Sequence, residues 1–507
     1  MFRIIKRYPM LTSAVLGCFM VIIFYYYERL SLIMGIALIV VLYVMYSFKV
    51  PFSQCFSVFC TIIICCSMLL RMDNIHTLSN LNGEEVTGSF VVTEKLQNLG
   101  DGMYGATVKT EDTDKLTDGS KLFAYFYEDE CPNLDTGDII EGKFKLRFST
   151  GKYRLNDFSQ NIYFRGYFKE YSLLEAKGDT LYSFIGTVQN YITDFLFKNL
   201  NYSEASTLTA LTIGDRSYMS DEFYGCVKAA GVSHVMVVSG MHLAIIMSFV
   251  TKTIEKFFYN RKLKALIIFL TVGFMAAVCG FTPSITRAGV TYIFMGISYL
   301  LNRPNTPSNT LGTAVTLILI FSPMTVFNLA FQLSALSTYG VLVLSPALSG
   351  AFKRYFKIKF RFISYITDAI SVTLCAMVTT LPVTIYRFGY ISVVGVLTNL
   401  LISYAVTVAL VCAVIALIIS LIYGTFSKPF LLASGVVTKY INSTIFFLGK
   451  MPFATADIPT NYYFLGILLI ALSLILLYAC KYLSNVLKLN RIKHKVLSET
   501  EGKFKWR

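Results

Sequence analysis

The chain has 507 residues, 55% hydrophobic and 15% charged, with a mean hydropathy of +0.59. No ordinary soluble globular protein has that balance, so it reads as a membrane protein. The excess of 45 Lys and Arg over 30 Asp and Glu would suit nucleic acid, an anionic membrane face or topogenic charge. Placement narrows this: 18 acids and 12 bases lie between Leu78 and Thr180. The rest is strongly basic, in loops flanking apolar runs, as the positive-inside rule expects.

Three apolar runs, Met10–Tyr27, Leu30–Phe48 and Val50–Leu70, predict three membrane helices over residues 1–72. Arg3, Lys6, Arg7 and Lys49 mark cytoplasmic ends, Glu28-Arg29 and Arg71 outer ones. The first run reads as a retained helix, because two more follow with no small-residue cleavage pattern.

Residues 73–180 change character. Glu85–Thr93, Gly105–Lys109, Lys121–Tyr127, Asp138–Phe148 and Tyr163–Leu173 alternate, with Gly and Asp turns between them. Five short strands predict a small extracytoplasmic OB-like β-barrel. Only Cys131 lies in this insert, so it holds no internal disulfide. From Lys143 to Lys169 it carries seven bases, Lys143, Lys145, Arg147, Lys152, Arg154, Arg165 and Lys169, with one acid, Asp157. Phe144, Phe148, Tyr153, Phe158, Tyr163, Phe164 and Tyr167 are interleaved. Bases for phosphates and aromatic faces for nucleobases are how OB-folds hold single strands. Strand alternation, with aromatics in a core and bases solvated, gives the same pattern. Both readings stay open.

Residues 181–231 predict amphipathic helices at the outer membrane surface, and Asp215 and Arg216 form a ready ion pair. Over 232–485 the apolar spans are Val232–Val250, Ala265–Phe281, Ser284–Leu300, Thr310–Phe321, Thr325–Leu348, Ile366–Phe388, Ile391–Ile422, Phe430–Lys450 and Tyr462–Tyr482. The run 391–422 is long enough to hide a break. Strict alternation places the basic stretches Lys252–Lys264, Asn302–Ser308 and Lys353–Arg361 and the tail 486–507 in the cytoplasm. The expected fold is thus a polytopic α-helical membrane protein of about 12 spans carrying the extracytoplasmic insert, with both termini cytoplasmic. Polar groups in hydrocarbon are a functional hypothesis by default. Ser233, His234, Ser239, Gly240 and His242 occupy one span, and on a continuous helix His234, Ser239 and His242 share one arc.

Four segments carry a resemblance. Gly214-Asp215-Arg216, then Ala230-Gly231-Val232-Ser233-His234 and Ser239-Gly240-Met241-His242, resemble the central signature of ComEC-type competence DNA channels. Phe281 to Gly289, with Pro283 and Arg287-Ala288, resembles that family's next helix start. Asn328 to Ser334 resembles its "D-GFQLS" segment, with Asn328 and Ala330 where Asp and Gly are common. Leu381-Pro382 through Phe388-Gly389, with Asn399-Leu400, resembles its last two segments. The resemblance as a whole covers about residues 80–425.

The resemblance implies an OB-like domain before the channel and passage of single-stranded transforming DNA across the cytoplasmic membrane of a bacterium. The DNA path would then draw on Asp215, Arg216, His234, Ser239, His242, Arg287, Asn328, Gln332, Arg387 and Asn399. Arg216, Arg287 and Arg387, at outer ends against the positive-inside bias, would line the entrance. An extracytoplasmic DNA receptor would deliver the strand and a cytoplasmic helicase-like ATPase would pull it, since no GxxxxGK[ST] loop occurs. Many ComEC-type proteins end in a metallo-β-lactamase-like domain. Four histidines, His76, His234, His242 and His494, cannot supply its ligands. Neither enzymatic activity nor a cofactor is expected here, and any nuclease would be a separate chain.

Two other classes compete. An intramembrane serine protease would use Ser239 and His242, but on one helix they point alike, and a base normally comes from elsewhere. A secondary transporter for small solutes fits helices broken at Gly240, Pro283 and Pro382. It lacks an acid deep in a span and leaves the insert without a role.

Overall fold

A backbone in hydrocarbon satisfies its polar groups only as a helix or a closed sheet. The computed structural model describes residues 9–26, 37–41, 45, 52–100, 103–127, 134–176, 178, 180–236, 238–301, 306–356 and 360–458. Most of Leu30–Phe48, all of Tyr462–Tyr482 and the tail 486–507 lie outside these residues. The chain divides into two compact units. The first comprises Met1–Tyr224, Ser233–Ser334 and Tyr404–Ser443, the second Gly225–Val232, Ala335–Ser403 and Thr444–Arg507.

In the first unit α1 (Pro9–Tyr26) carries no charge, and α2 (Phe52–Ser79) packs along it. Ser57 Oγ donates to Pro9 O at 2.8 Å where both helices begin. A later helix, Pro307–Phe321, crosses α1 at Gly312, where a Cβ would stand 2.3 Å from Leu11 N. Small residues at such crossings let membrane helices approach closely.

The β-domain follows α2. Its strands are β1 (Glu85–Val92), β2 (Gln97–Gly100), β3 (Met103–Thr113), β4 (Lys121–Tyr127), β5 (Ile139–Phe148) and β6 (Ile162–Glu175). A short helix, α3 (Arg154–Ser159), joins β5 to β6. The sheet order is β1-β5-β6-β4-β3-β2, and β1 also pairs with β3. Pairing therefore runs from β1 through β5, β6, β4 and β3 back to β1. All these neighbours are antiparallel except β4 and β6. Alternation sends Phe90, Leu122, Phe126, Phe144, Leu146, Phe164 and Phe168 inward, where all are buried. Phe168 is the hub, with ring centroids 5.0 Å from Phe144, 5.1 Å from Phe90 and 5.8 Å from Phe126. Gly166 is required by close approach, since a Cβ there would stand 2.0 Å from Lys145 O.

The region after the sheet forms α4 (Thr180–Asn199), α5 (Tyr202–Thr212) and α6 (Asp221–Ala229). Of the expected surface helices, α5 is different: Glu204 to Thr212 are all buried. Next come α7 (Ser233–Met236), α8 (Gly240–Phe257), α9 (Arg261–Val278), α10 (Pro283–Leu301) and α11 (Pro307–Phe321), the helix that crosses α1. The Val232–Val250 run is therefore not one helix. Ser239, with φ −127° and ψ 172°, is extended and starts α8, so a continuous-helix arc through His234, Ser239 and His242 does not apply.

Helix α12 (Leu329–Tyr355), with a π-helical stretch at Gly340–Leu344, runs from the first unit into the second. The second unit also holds α13 (Arg361–Phe388), ended by Gly389 at φ +72°, and strands β7 (Tyr390–Ser392) and β8 (Thr455–Asp457), which pair antiparallel. Between these strands run α14 (Gly395–Ser420) and α15 (Gly424–Gly449). The suspected break in 391–422 thus falls before Gly395.

Among the described residues, six helices are long and apolar enough to cross a membrane: α1, α2, α12, α13, α14 and α15. Helices α8, α9 and α10 reach that length, but polar and charged residues keep them out of this set. Strict alternation also meets a geometric obstacle within the first unit. Gln189 Nε2 donates to Val278 O, at the end of α9, at 2.7 Å, and Tyr191 OH lies 2.8 Å from Ser420 Oγ, at the end of α14. Two side chains of one helical turn in α4 reach both ends. Alternation assigns those ends to opposite faces of a core about 30 Å thick. Among the described residues, strict alternation over 265–422 does not fit this geometry.

Candidate functional site

The outer face of the β-domain gathers the basic and aromatic residues. Opposite the buried phase of β5, Lys143 and Arg147 are exposed and Lys145 is half-buried. Register places Lys145 beside Tyr167 and Tyr167 beside Tyr125; likewise Arg147 is beside Arg165, and Arg165 beside Phe123. Arg147 lies 5.4 Å over the Tyr167 ring. Phe123, Tyr125 and Tyr127 form an outward row on β4, and Tyr127 is 52% exposed. Sequence reasoning missed this row. Its signal was Lys121–Tyr127 itself, where aromatic residues occupy the phase that a solvated strand face gives to polar ones.

The interleaved aromatics divide. Phe144, Phe158, Tyr163 and Phe164 are buried and Phe148 is half-buried, so they belong to the core. Tyr153 and Tyr167 face out. The bases divide too. Arg165 Nε and Nη2 donate to the Asp157 carboxylate at 2.6 and 2.7 Å, and Nη1 donates to Tyr125 OH at 2.8 Å. The hydrogen bonds to Asp157 raise its pKa further, so its charge is fixed and committed. Its guanidinium is also sandwiched 4.7 Å from Phe123 and 4.8 Å from Tyr153. Arg154 lies over Phe158, and Lys152's side chain lies outside the described residues. On the strands, Lys143, Lys145 and Arg147 are left as the bases open to a ligand.

Lys169 is paired with Glu85 on the surface. The Lys169 ammonium holds the Glu85 carboxyl below the usual carboxylate range. A depressed carboxyl contributes stability above its unfolded pKa of about 4.3 and loses it as pH falls through the folded value. On acidification from pH 5 to 3, the unfolding temperature should therefore fall slightly more steeply for the native chain than for Lys169→Met. Thermal scans across that window check it, and parallel curves would refute the linkage.

A second polar cluster lies where α8, α10 and α12 begin. Ser239 caps α8, with Oγ accepting from Met241 N at 3.3 Å, and His242 Nδ1 accepts from Ser239 N at 3.2 Å. Ser239 and His242 thus do meet, as a reciprocal helix cap. Gly240 N donates to Ser284 Oγ at 3.2 Å, and Ser284 Oγ donates to Ser334 Oγ at 2.9 Å. Arg287 Nε donates to the same Ser334 oxygen at 3.0 Å. Arg287 is 5% and His242 0% exposed. Gly240 lets the Arg287 guanidinium lie close, because a Cβ would stand 2.7 Å from Arg287 Nη2 and displace it.

The other path residues sit apart. Asp215 and Arg216 do not pair with each other. Asp215 Oδ1 accepts from Ser217, while Arg216 Nη1 donates to Tyr224 OH at 2.9 Å. Both Asn328 and Gln332 hold the fold. Asn328 is buried and its Nδ2 donates to Ser159 Oγ of α3 at 3.0 Å; Gln332 Nε2 donates to Val326 O at 2.7 Å. His234 is exposed. In the second unit Arg387 is exposed at the end of α13, and Asn399 Nδ2 donates to Thr373 Oγ1 at 3.0 Å, joining α14 to α13. Arg287 is therefore an interior group, unlike the exposed Arg216 and Arg387.

A β-domain with a basic, aromatic face, combined with membrane-length helices and a buried polar cluster, defines a polytopic membrane protein that carries a β-domain. A model of the competence protein family matches residues 211–483, and the chain belongs to that family. It is 24% identical over 216 residues to ComE operon protein 3 of Bacillus subtilis (strain 168), a match covering 42% of this chain and 26% of that relative. The match thus spans about a quarter of the relative's length. No solved structure matches the chain.

Proposed function

We propose that the protein takes part in DNA uptake during competence, as the membrane channel through which a single strand crosses. The observation that carries this reading is the outward face of β4, β6 and β5, where Tyr125, Tyr127 and Tyr167 stand beside Lys145 and Arg147. Stacking surfaces beside phosphate-binding charges suit an unpaired strand and give little purchase on a duplex. The five-strand ring, with its single parallel pair, is read as an OB-like barrel, a fold whose sheet face holds such strands. Membership of the competence family supports the same role. The small-solute transporter leaves this face without a use. An extracytoplasmic receptor would hand the strand to it, a cytoplasmic ATPase would draw it inward, and any nuclease would be a partner chain.

Deleting the gene tests the reading: transformation should be lost while growth on small solutes is unchanged. On the full-length protein in nanodiscs, replacing Lys143, Lys145 and Arg147 by Ser should flatten the salt dependence of oligothymidylate binding. Each lost phosphate contact on a single strand removes about 0.7 from the log–log slope, so the change should be about 2. An unchanged slope would remove these residues from the site.

A further inference from the structure

The cluster at the start of α8, α10 and α12 has donors and positive potential but, among the described residues that bond within it, no negative group. Arg287 is 5% exposed, and the only hydrogen bond of its guanidinium among the described residues is from Nε to the neutral Ser334 hydroxyl. Its terminal nitrogens find no acceptor there, although Nη2 lies against the Gly240 backbone. That backbone begins α8, an 18-residue helix whose aligned dipoles put partial positive charge at this end. A guanidinium keeps its proton under all ordinary conditions. Two positive elements thus face each other in the interior. His242 adds a third donor. Its Nδ1 accepts from Ser239 N, so its proton is assigned to Nε2, which has no partner among the described residues.

We infer that the terminal nitrogens of Arg287 and His242 Nε2, beside the positive end of the α8 dipole, form a seat for one phosphodiester group. A planar guanidinium offers paired N–H groups to phosphate oxygens, and the helix dipole favours the same charge, while the first-turn N–H groups of α8 stay with Ser239 and Ser284. A compact monoanion supplies the missing charge without a carboxylate from the chain. Two sources carry this chemistry: the backbone of a passing strand, which rests on the channel reading above, and the headgroup of a phospholipid.

The test uses full-length protein in a phosphate-free maltoside detergent, with unfolding temperature as readout. Probes are pentathymidylate and phosphatidylglycerol, each against chloride at equal ionic strength. The wild-type temperature should rise by several degrees with a phosphodiester probe, and Arg287→Met should lose most of that rise. The β-domain face is common to both proteins, so the difference between them reports the seat. Arg287→Lys keeps the charge and should keep part of the rise. Without a probe, Arg287→Met should be at least as stable as wild type, because an unpaired interior charge has been removed. Equal shifts in wild type and Arg287→Met with both probes would overturn the seat. A probe-free loss of stability in both Arg287→Met and Arg287→Lys would overturn it too, marking Arg287 as already satisfied. A response to pentathymidylate assigns the seat to the strand, a response to phosphatidylglycerol alone to lipid. If gene deletion abolishes transformation while no seat is found, the channel reading stands. If transformation survives deletion while phosphatidylglycerol binds, the seat stands without it.

Discussion

Replacing Tyr127 and Tyr167 together by Leu should weaken binding of a single-stranded oligonucleotide to the full-length protein by roughly 30-fold or more. Stacking of a base on an aromatic ring contributes about 1–3 kcal/mol, and each 1.4 kcal/mol is tenfold in affinity. Tyr127 is 52% exposed and Tyr167 half-buried on the outer face, so little core packing is lost. The unfolding temperature should stay close to wild type. The salt slope should also stay, because Lys143, Lys145 and Arg147 are untouched. That separates stacking from charge: the charge variant changes slope, the aromatic variant changes affinity at every salt concentration. Fluorescence anisotropy across a salt series measures both. Unchanged affinity in the double variant would sink the stacking face.

The β-domain was legible in sequence because its cause is local. Alternation and the turns at Gly and Asp place the strands from sequence alone, whereas which of the interleaved aromatics, such as Phe144, belong to the core stayed open until the strands were paired. What sequence could not settle was which bases are free. Arg147 and Arg165 look alike in their strands, each flanked by apolar and aromatic residues. Arg165 is committed because Asp157, eight residues before it, folds back through α3. The membrane part was less legible. Val232–Val250 is apolar enough to pass for a continuous helix, yet Ser239 satisfies the N–H groups that open α8 and so fixes a break. The polar residues of the motifs split by partner: Asn328 and Gln332 bond within the fold, whereas Arg287 keeps its charge unanswered among the described residues. No periodicity reveals that difference, since it depends on contacts between helices far apart in sequence.

Asp157→Asn should destabilise the β-domain by about 2–4 kcal/mol, the range for losing charge-assisted bonds within a largely buried pair. Asp157 is 2% exposed and accepts from Arg165 twice and from Ser149 Oγ. An amide of the same shape keeps one acceptor, turns a donor toward a cation and removes the counter-charge. Arg165 retains contact with water, with 22% of its side chain exposed, which holds the cost below that of a fully enclosed pair. The damage extends along α3. Asn156 and Ser159 lie one and two residues from Asp157 and meet Asn328 just before α12. Loosening α3 should therefore expose residues 150–162 to protease while the sheet stays folded. Thermal unfolding and limited proteolysis of the full-length protein read the two effects separately. A double-mutant cycle with Arg165→Gln completes the test. If the ion pair is the cause, the second substitution should add much less to an Asp157→Asn chain than to wild type. Full additivity would show that Asp157 stabilises the loop through Ser149 and the backbone, independently of Arg165.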